Sequence, residues 1–112
     1  MRSTWNVDTG KEKAIGHYSD PPLLVLASLA NGPKHGHAMI EDITVLSGTR
    51  LGPGTLYGAI ARLEEQGLIE ALPAEERRHP YRITPSGEQL LRAKLSTLDQ
   101  FARAGLKRLE SQ

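Results

Sequence analysis

Residues 51–69 form the sequence LGPGTLYGAIARLEEQGLI, and the spacing of their apolar side chains changes partway along. Pro53 suits a first helical turn, where its missing N–H is not needed, and Gly67 suits the left-handed residue that ends a helix. Between them, four apolar side chains recur at the spacing of a single helix face: Leu56, Ala59, Ile60 and Leu63. We therefore predict an amphipathic helix that begins near Pro53 and ends at Gln66.

Two short apolar runs follow this helix. The first is LIEAL at residues 68–72, the second is YRIT at residues 81–84, and a polar connector that contains Arg77, Arg78 and His79 separates them. Short apolar runs joined in this way predict a two-stranded hairpin. A helix that leads into a hairpin with a basic tip is typical of a winged helix-turn-helix, which predicts binding to double-stranded DNA.

Two more helices are predicted ahead of this unit. Asp20 is a good N-cap for the first, and the apolar run LLVLASLA at residues 23–30 indicates that this helix is buried on nearly all sides. The second begins near His35 or Gly36 and ends at residues 47–48. Its predicted buried stripe consists of Met39, Ile43 and Leu46.

The last part of the sequence predicts one long helix, from Ser86 to about Glu110. Thr84 and Pro85 give its start signal, and its apolar residues follow spacings of four, three, four and seven, which resemble the seam of a coiled coil. The other predicted elements leave no partner for the far end of this helix, so we predict a homodimer. Its expected interface residues are Leu91, Leu95, Leu98, Phe101, Ala102 and Leu109.

The predicted fold class is mostly α with a small β-hairpin, that is, a winged helix-turn-helix plus a long C-terminal dimerisation helix. We expect an N-terminal arm over residues 1–20, a DNA-binding domain over residues 21–85 and the dimerisation helix over residues 86–112. A chain of 112 residues is long enough for one such domain.

Composition narrows the classes of function. The net charge is only +1, so DNA binding must depend on local basic clusters. Aromatic residues make up 4% of the chain, which argues against binding of single-stranded nucleic acid by base stacking. The absence of cysteine excludes disulfides and thiolate metal sites. No apolar run approaches the roughly 20 residues that a membrane helix needs, so the expected location is the cytosol.

Neither a metal site nor a catalytic site is expected. His35 and His37 lie two residues apart at a helix start and therefore diverge, while His17 and His79 are distant in sequence. The sequence contains no nucleophile-elbow, phosphate-loop or metalloprotease motif. We therefore predict a protein that is not an enzyme and has no cofactor.

The polar side of the helix over residues 53–66 is the predicted DNA-reading surface. Its small residues, which include Gly58 and Ala61, give a low-relief face that fits a major groove. Tyr57 is expected to pack its ring on the domain and to reach a phosphate with its hydroxyl, the alternative being a wholly buried ring. His35 either caps the second helix or contacts phosphate. The expected DNA-binding residues are Lys34, His35, Gly54, Thr55, Tyr57, Arg62, Arg77, Arg78 and Arg82.

Four motifs follow one another along most of the chain: LVLASLANGPKHGH at residues 24–37, LGPGTLY at 51–57, LEEQGLI at 63–69 and YRITPSG at 81–87. Together they resemble the PadR family of bacterial transcriptional regulators. The resemblance implies a winged-helix dimer held mainly by the long C-terminal helix. It also implies a repressor on a palindromic operator that releases DNA when a small aromatic or hydrophobic effector binds. His37 stands where the family usually has Tyr, and Gly52 stands where it usually has Ser.

Two functions from different classes stay open on the sequence. The first is a dimeric, sequence-specific regulator that binds double-stranded DNA. The second is a winged-helix protein-interaction module without DNA binding, which the small net charge permits. The basic pair at Arg77 and Arg78 and the hydroxyl groups of Thr55 and Tyr57 favour the first.

Overall fold

A computed structural model describes residues 19–111 and confirms the mostly helical fold with one hairpin. Each element begins and ends within two residues of its predicted position. The predicted arm over residues 1–20 lies almost wholly outside the described residues. In chain order the elements are α1 (Pro21–Leu29), α2 (Gly36–Ser47), α3 (Pro53–Glu65), β1 (Ile69–Ala71), β2 (Tyr81–Ile83) and α4 (Pro85–Glu110).

Side chains just ahead of the helices satisfy their first backbone N–H groups. The carboxylate of Asp20 accepts from the N–H of Leu23 at 3.2 Å, at the start of α1. The hydroxyl oxygen of Thr84 accepts from the N–H of Gly87 at 3.1 Å, at the start of α4. α3 instead begins after Gly52, with no side-chain cap. A side-chain cap contributes about 1 kcal/mol, but glycine in its place costs only a few tenths.

α1 is the central helix of the domain and packs on α2, α3, α4 and β2. Its leucines and Val25 are buried, as predicted, whereas Ala27 is half-buried and Ala30, just after the helix, is exposed. Leu46 corrects the prediction for α2, because it is 55% exposed at the edge of an open groove between α1 and α4. The buried core consists of Leu23, Leu24, Val25, Leu26, Leu29, Met39, Ile40, Ile43, Leu51, Leu56, Ala59, Ile60, Leu63, Ile69 and Leu91.

The hairpin, called the wing below, spans residues 69–83. β1 and β2 pair in antiparallel fashion, with Ile69 opposite Ile83 and Ala71 opposite Tyr81. On its other side, Tyr81 exchanges two backbone hydrogen bonds with Lys34, at 2.9 and 3.1 Å. These bonds attach the wing to the loop before α2 and bring its connector close to the start of that helix.

Within residues 19–111, only the first two turns of α4 pack against the rest of the domain. Gly87 and Leu91 are buried there, and every described residue of the chain after Leu91 is exposed. The prediction that Leu91 lies in the dimer interface is wrong, because at 6% exposure it belongs to the protomer's own core. Phe101 is 75% and Leu109 is 67% exposed on the free part of the helix. Although α4 is long, no helix within residues 19–111 is apolar enough to cross a membrane.

Candidate DNA-binding surface

The outer face of α3 is exposed and nearly flat. The buried stripe of α3 faces the core. The exposed face therefore carries small or short side chains, and its one long hydrogen-bond donor is Arg62. Because glycine and alanine have small side chains, they would allow the helix to come close to the base edges in a DNA groove. The exposed residues of this face are Gly54, Thr55, Gly58, Ala61, Arg62 and, in the last turn, the acidic Glu65.

Tyr57 lies at the edge of α3 and covers the start of α2. The residue is 49% exposed, so the alternative of a wholly buried ring is wrong. A Cβ atom built on Gly36 would overlap the Tyr57 hydroxyl and lie 2.6 Å from its Cζ. Glycine at position 36 therefore lets the ring pack across α2. Within residues 19–111 the hydroxyl makes no hydrogen bond in the structure, so it is available to a ligand.

A cationic cleft separates the wing from the start of α2. It encloses about 260 Å³, and no Asp or Glu lines it. Three of its residues, Gly36, His37 and His79, are not among the predicted DNA-binding residues, although His79 belongs to the predicted basic tip of the hairpin. The signal that could have found them is their position in the sequence, next to the predicted DNA-binding residues His35, Arg77 and Arg78. The lining residues are His35, Gly36, His37, Tyr57, Arg77, Arg78, His79 and Tyr81.

His35 joins α2 to the wing. Its Nδ1 accepts from the N–H of Ala38 at 3.4 Å, so the predicted alternative of a helix cap is confirmed. Its Nε2 lies 3.4 Å from Nη1 of Arg78, which comes from the wing. The ring therefore stands between a helix N-terminus and a guanidinium group.

The prediction that Lys34 contacts DNA is wrong, because its ammonium group is bound within the protomer. Its ammonium group donates to the backbone oxygen of Ser28 and, at 2.6 Å, to Oδ1 of Asn31. It also lies 3.9 Å from the carboxylate of Asp42, and its side chain is only 19% exposed. Lys34 therefore holds the end of α1 against α2 instead of facing DNA. A lysine can reach this far back because its four-carbon stem is long and flexible.

Arg82 is also bound within the protomer. Its Nε donates to Oε2 of Glu70 at 2.5 Å, directly across the hairpin. An exposed pair of this kind adds little stability, about 0–1 kcal/mol. It does neutralise the charge of Arg82 locally, which leaves Arg77 and Arg78 as the unpaired cations of the wing among the described residues.

Tyr81 forms the inner wall of the cleft. Burial, followed by the negative charge of Glu64 nearby, raises the pKa of Tyr81 above its usual value of 10.0. The Tyr81 hydroxyl therefore stays neutral at physiological pH and adds no negative charge to a cleft that suits an anion.

A second surface, between α1 and α4, is apolar. It is a groove of about 550 Å³. The groove continues directly onto the free part of α4 through Leu95 and Leu98. Its lining residues are Leu23, Leu24, Ala27, Ala30, Leu46, Ser47, Leu91, Leu95 and Leu98.

Comparisons with known proteins agree on one family. The model of the transcriptional regulator PadR-like family matches residues 25–93. The transcriptional regulator Rv3488 of Mycobacterium tuberculosis is 34% identical over 87 residues, which cover 72% of this chain and 78% of that protein. The crystal structure of a PadR family transcriptional regulator from Eggerthella lenta has a TM-score of 0.69 and 29% identity, and the match covers 81% of this chain and 82% of that one.

A further relative is much longer than this chain. An uncharacterized 37.1 kDa protein in transposon TN4556 of Streptomyces fradiae is 49% identical over 73 residues, which are 65% of this chain. The match spans 21% of that protein, about a fifth of its length.

Proposed function

Because the chain belongs to the transcriptional regulator PadR-like family, its function is DNA-binding regulation of transcription, and we propose that it acts as a homodimeric repressor on a palindromic operator. The observation that carries this proposal is the flat outer face of α3 beside a cationic wing. The cleft between the wing and the start of α2 contains no carboxylate. This surface matches a duplex in both shape and charge.

In the proposed complex, α3 enters the major groove and the wing lies along the neighbouring backbone. A major groove about 12 Å wide accepts a helix, and the small residues Gly54, Gly58 and Ala61 allow close approach. Arg77 and Arg78 of the wing bind phosphate groups of the DNA backbone that borders this groove. On the outer face of α3 we expect Thr55 and Arg62 to read base edges, and with so few base-reading side chains, sequence preference depends largely on the shape of the operator.

The exposed seam of α4 supports the dimer. Leu95, Leu98, Ala102 and Leu109 form this seam, and with Phe101 they give an apolar surface too large for a helix in water. Packing the seam against a second copy places two α3 helices about one two-fold axis. Two-fold symmetry in the protein requires two inverted half-sites in the operator.

The apolar groove between α1 and α4 supports the proposal that the protein releases DNA when a small hydrophobic or aromatic effector binds. Its volume lies within the range of ligand pockets, about 300–1,000 Å³. Leu95 and Leu98 belong both to this groove and to the seam of α4. A ligand that binds better to one arrangement of the two α4 helices would therefore shift the spacing of the two α3 helices and lower DNA affinity.

Replacing both Arg77 and Arg78 with Ala tests the role of the wing. We expect weaker binding to all DNA sequences alike, because phosphate contacts carry no sequence information. The slope of log affinity against log salt should fall by about 0.9 for each phosphate that the variant no longer binds. Fluorescence anisotropy over a salt series, with an operator duplex and a scrambled duplex, measures both quantities.

The charge-matched control for this test changes Lys107 and Arg108 to Ala at the exposed end of α4. It removes the same charge far from the proposed interface and should leave the slope unchanged. A wing variant that keeps the wild-type slope but loses its preference for one sequence would contradict phosphate binding by the wing.

Tyr57→Phe tests whether the Tyr57 hydroxyl, at the edge of α3, contacts a DNA phosphate. The substitution keeps the ring and removes only the hydroxyl, which has no internal hydrogen bond among residues 19–111. We expect DNA affinity to fall by about 0.5–1.5 kcal/mol, the net value of one hydrogen bond. The melting temperature of the free protein should not change. A lower melting temperature with full DNA affinity would refute the assignment.

A further inference from the structure

The two ring nitrogens of His35 both face hydrogen-bond donors. Nδ1 lies 3.4 Å from the N–H of Ala38, and Nε2 lies 3.4 Å from a guanidinium nitrogen of Arg78. A neutral imidazole offers one acceptor and one donor, whereas both of its partners here only donate. Whichever nitrogen carries the proton, one of the two contacts joins a donor to a donor. The site therefore lacks one acceptor.

The missing acceptor is needed between Nε2 of His35 and the guanidinium group of Arg78 on the wing. The first N–H groups of a helix have no partner within the helix, so α2 gains stability when Nδ1 accepts from Ala38. Nε2 then carries the proton. The guanidinium of Arg78 is always protonated, so two donors from different parts of the chain face one another across a narrow gap.

The surroundings of this gap favour a negatively charged acceptor. Arg77, His37 and His79 line the same cleft, and the cleft contains no carboxylate. An acidic residue, Glu76, lines an adjoining depression of the wing instead. A phosphate group presents several oxygens, so one can accept from the imidazole and another from the guanidinium, which binds such oxyanions as a fork.

We propose that one backbone phosphate of duplex DNA sits between Nε2 of His35 and the guanidinium of Arg78, and so ties the wing to α2. This inference rests on the proposed function, since it assigns a specific ligand to part of the same surface. His35 then serves two partners at once: Nδ1 caps α2, and Nε2 donates to DNA. The phosphate removes the donor–donor contact and fixes the angle of the wing beside α3.

Asparagine at position 35 separates the two roles of His35. His35→Asn keeps an acceptor for the helix start, because Asn is among the best N-caps, but it removes the Nε2 donor. We expect His35→Asn to keep the melting temperature and to reduce DNA affinity by about two- to tenfold, the value of one hydrogen bond. His35→Ala removes both roles and should lower melting temperature and affinity together.

A double-mutant cycle with Arg78→Gln tests whether both residues hold the same phosphate. We expect the affinity of the combined variant to fall clearly less than the product of the two single effects, because either change already loosens that phosphate. Arg78→Gln lies on the exposed wing and should fold normally. Effects that multiply, or a His35→Asn protein with wild-type affinity, would overturn the proposal while leaving the proposed function intact.

Two further measurements identify the ligand. Long-range ¹H–¹⁵N NMR spectra should give the tautomer of His35 protonated on Nε2, and a proton on Nδ1 would overturn the proposal. Titration with inorganic phosphate should leave the His35 signals nearly unchanged at concentrations where the operator duplex saturates them. Saturation by inorganic phosphate alone would assign the site to a free anion and contradict the DNA assignment. A wild-type protein that binds no duplex would overturn the proposed function and this inference with it.

Discussion

Replacing both Leu95 and Leu98 with Glu is expected to convert the homodimer into monomers. Each leucine that an interface buries contributes about 1.5–3 kcal/mol, and both protomers supply two. The new carboxylates would also have to lose water without a partner. We expect the dissociation constant of the dimer to rise at least about a thousandfold, which corresponds to about 4 kcal/mol. Analytical ultracentrifugation across a concentration series measures this change.

Disruption of the dimer should also reduce operator binding. A dimer binds its second half-site as an intramolecular step, and monomers lack this advantage of about 100-fold or more. Ala93→Glu with Gln100→Glu is the matched control, because it adds the same charges to the exposed opposite face of α4. A Leu95 and Leu98 double variant that remains dimeric would mean that the interface lies elsewhere.

Gly87→Ala is expected to destabilise the domain strongly. A Cβ atom at this position would overlap the backbone oxygen of Leu68 and lie 2.8 Å from Cγ1 of Ile83. The Leu68 oxygen cannot move easily, because it accepts from the N–H of Thr84 at 3.1 Å. We expect the free energy of unfolding to fall by about 3 kcal/mol, the upper end for overpacking by a small group. Urea denaturation at fixed protein concentration gives this value.

Gly58→Ala is the control for Gly87→Ala. A Cβ atom at Gly58 meets no other atom within 4 Å, on the exposed face of α3. The same substitution should there stabilise the helix by about 0.5–1 kcal/mol, because alanine loses less backbone entropy than glycine. Equal stability of the Gly87→Ala and wild-type proteins would show that α4 packs on the wing less closely than the structure has it.

Helices and the hairpin were predictable because local signals define them. Apolar spacing gave the buried faces of α1 and α3, and the caps at Asp20 and Thr84 gave two of the helix starts. The exposed seam of α4 was also predictable, since no other predicted helix or strand was left to cover it. The exposure of Leu46 was not predictable, because it depends on how far the last turn of α2 lies from α4.

The functional surface was only partly predictable, because long side chains choose partners through tertiary geometry. Lys34 turns back to the end of α1, which requires the angle between α1 and α2. Arg82 pairs with Glu70 only through the hairpin register. His35 meets Arg78 across 43 residues of sequence, and no periodicity connects them. Exposed groups with few neighbours, such as Thr55 and Arg77, were placed correctly at the surface because little competes for them.

Hydroxyl-radical footprinting on DNA from the region upstream of the protein's own gene tests the central claim most directly, namely that two copies of α3 and the wing bind one duplex about a two-fold axis. We expect two protected patches on one face of the duplex, separated by one helical turn of about 10 base pairs or a multiple of it. The Arg77 and Arg78 double variant should weaken both patches equally. A single protected patch, or no protection at concentrations where the chain is dimeric, would contradict the account.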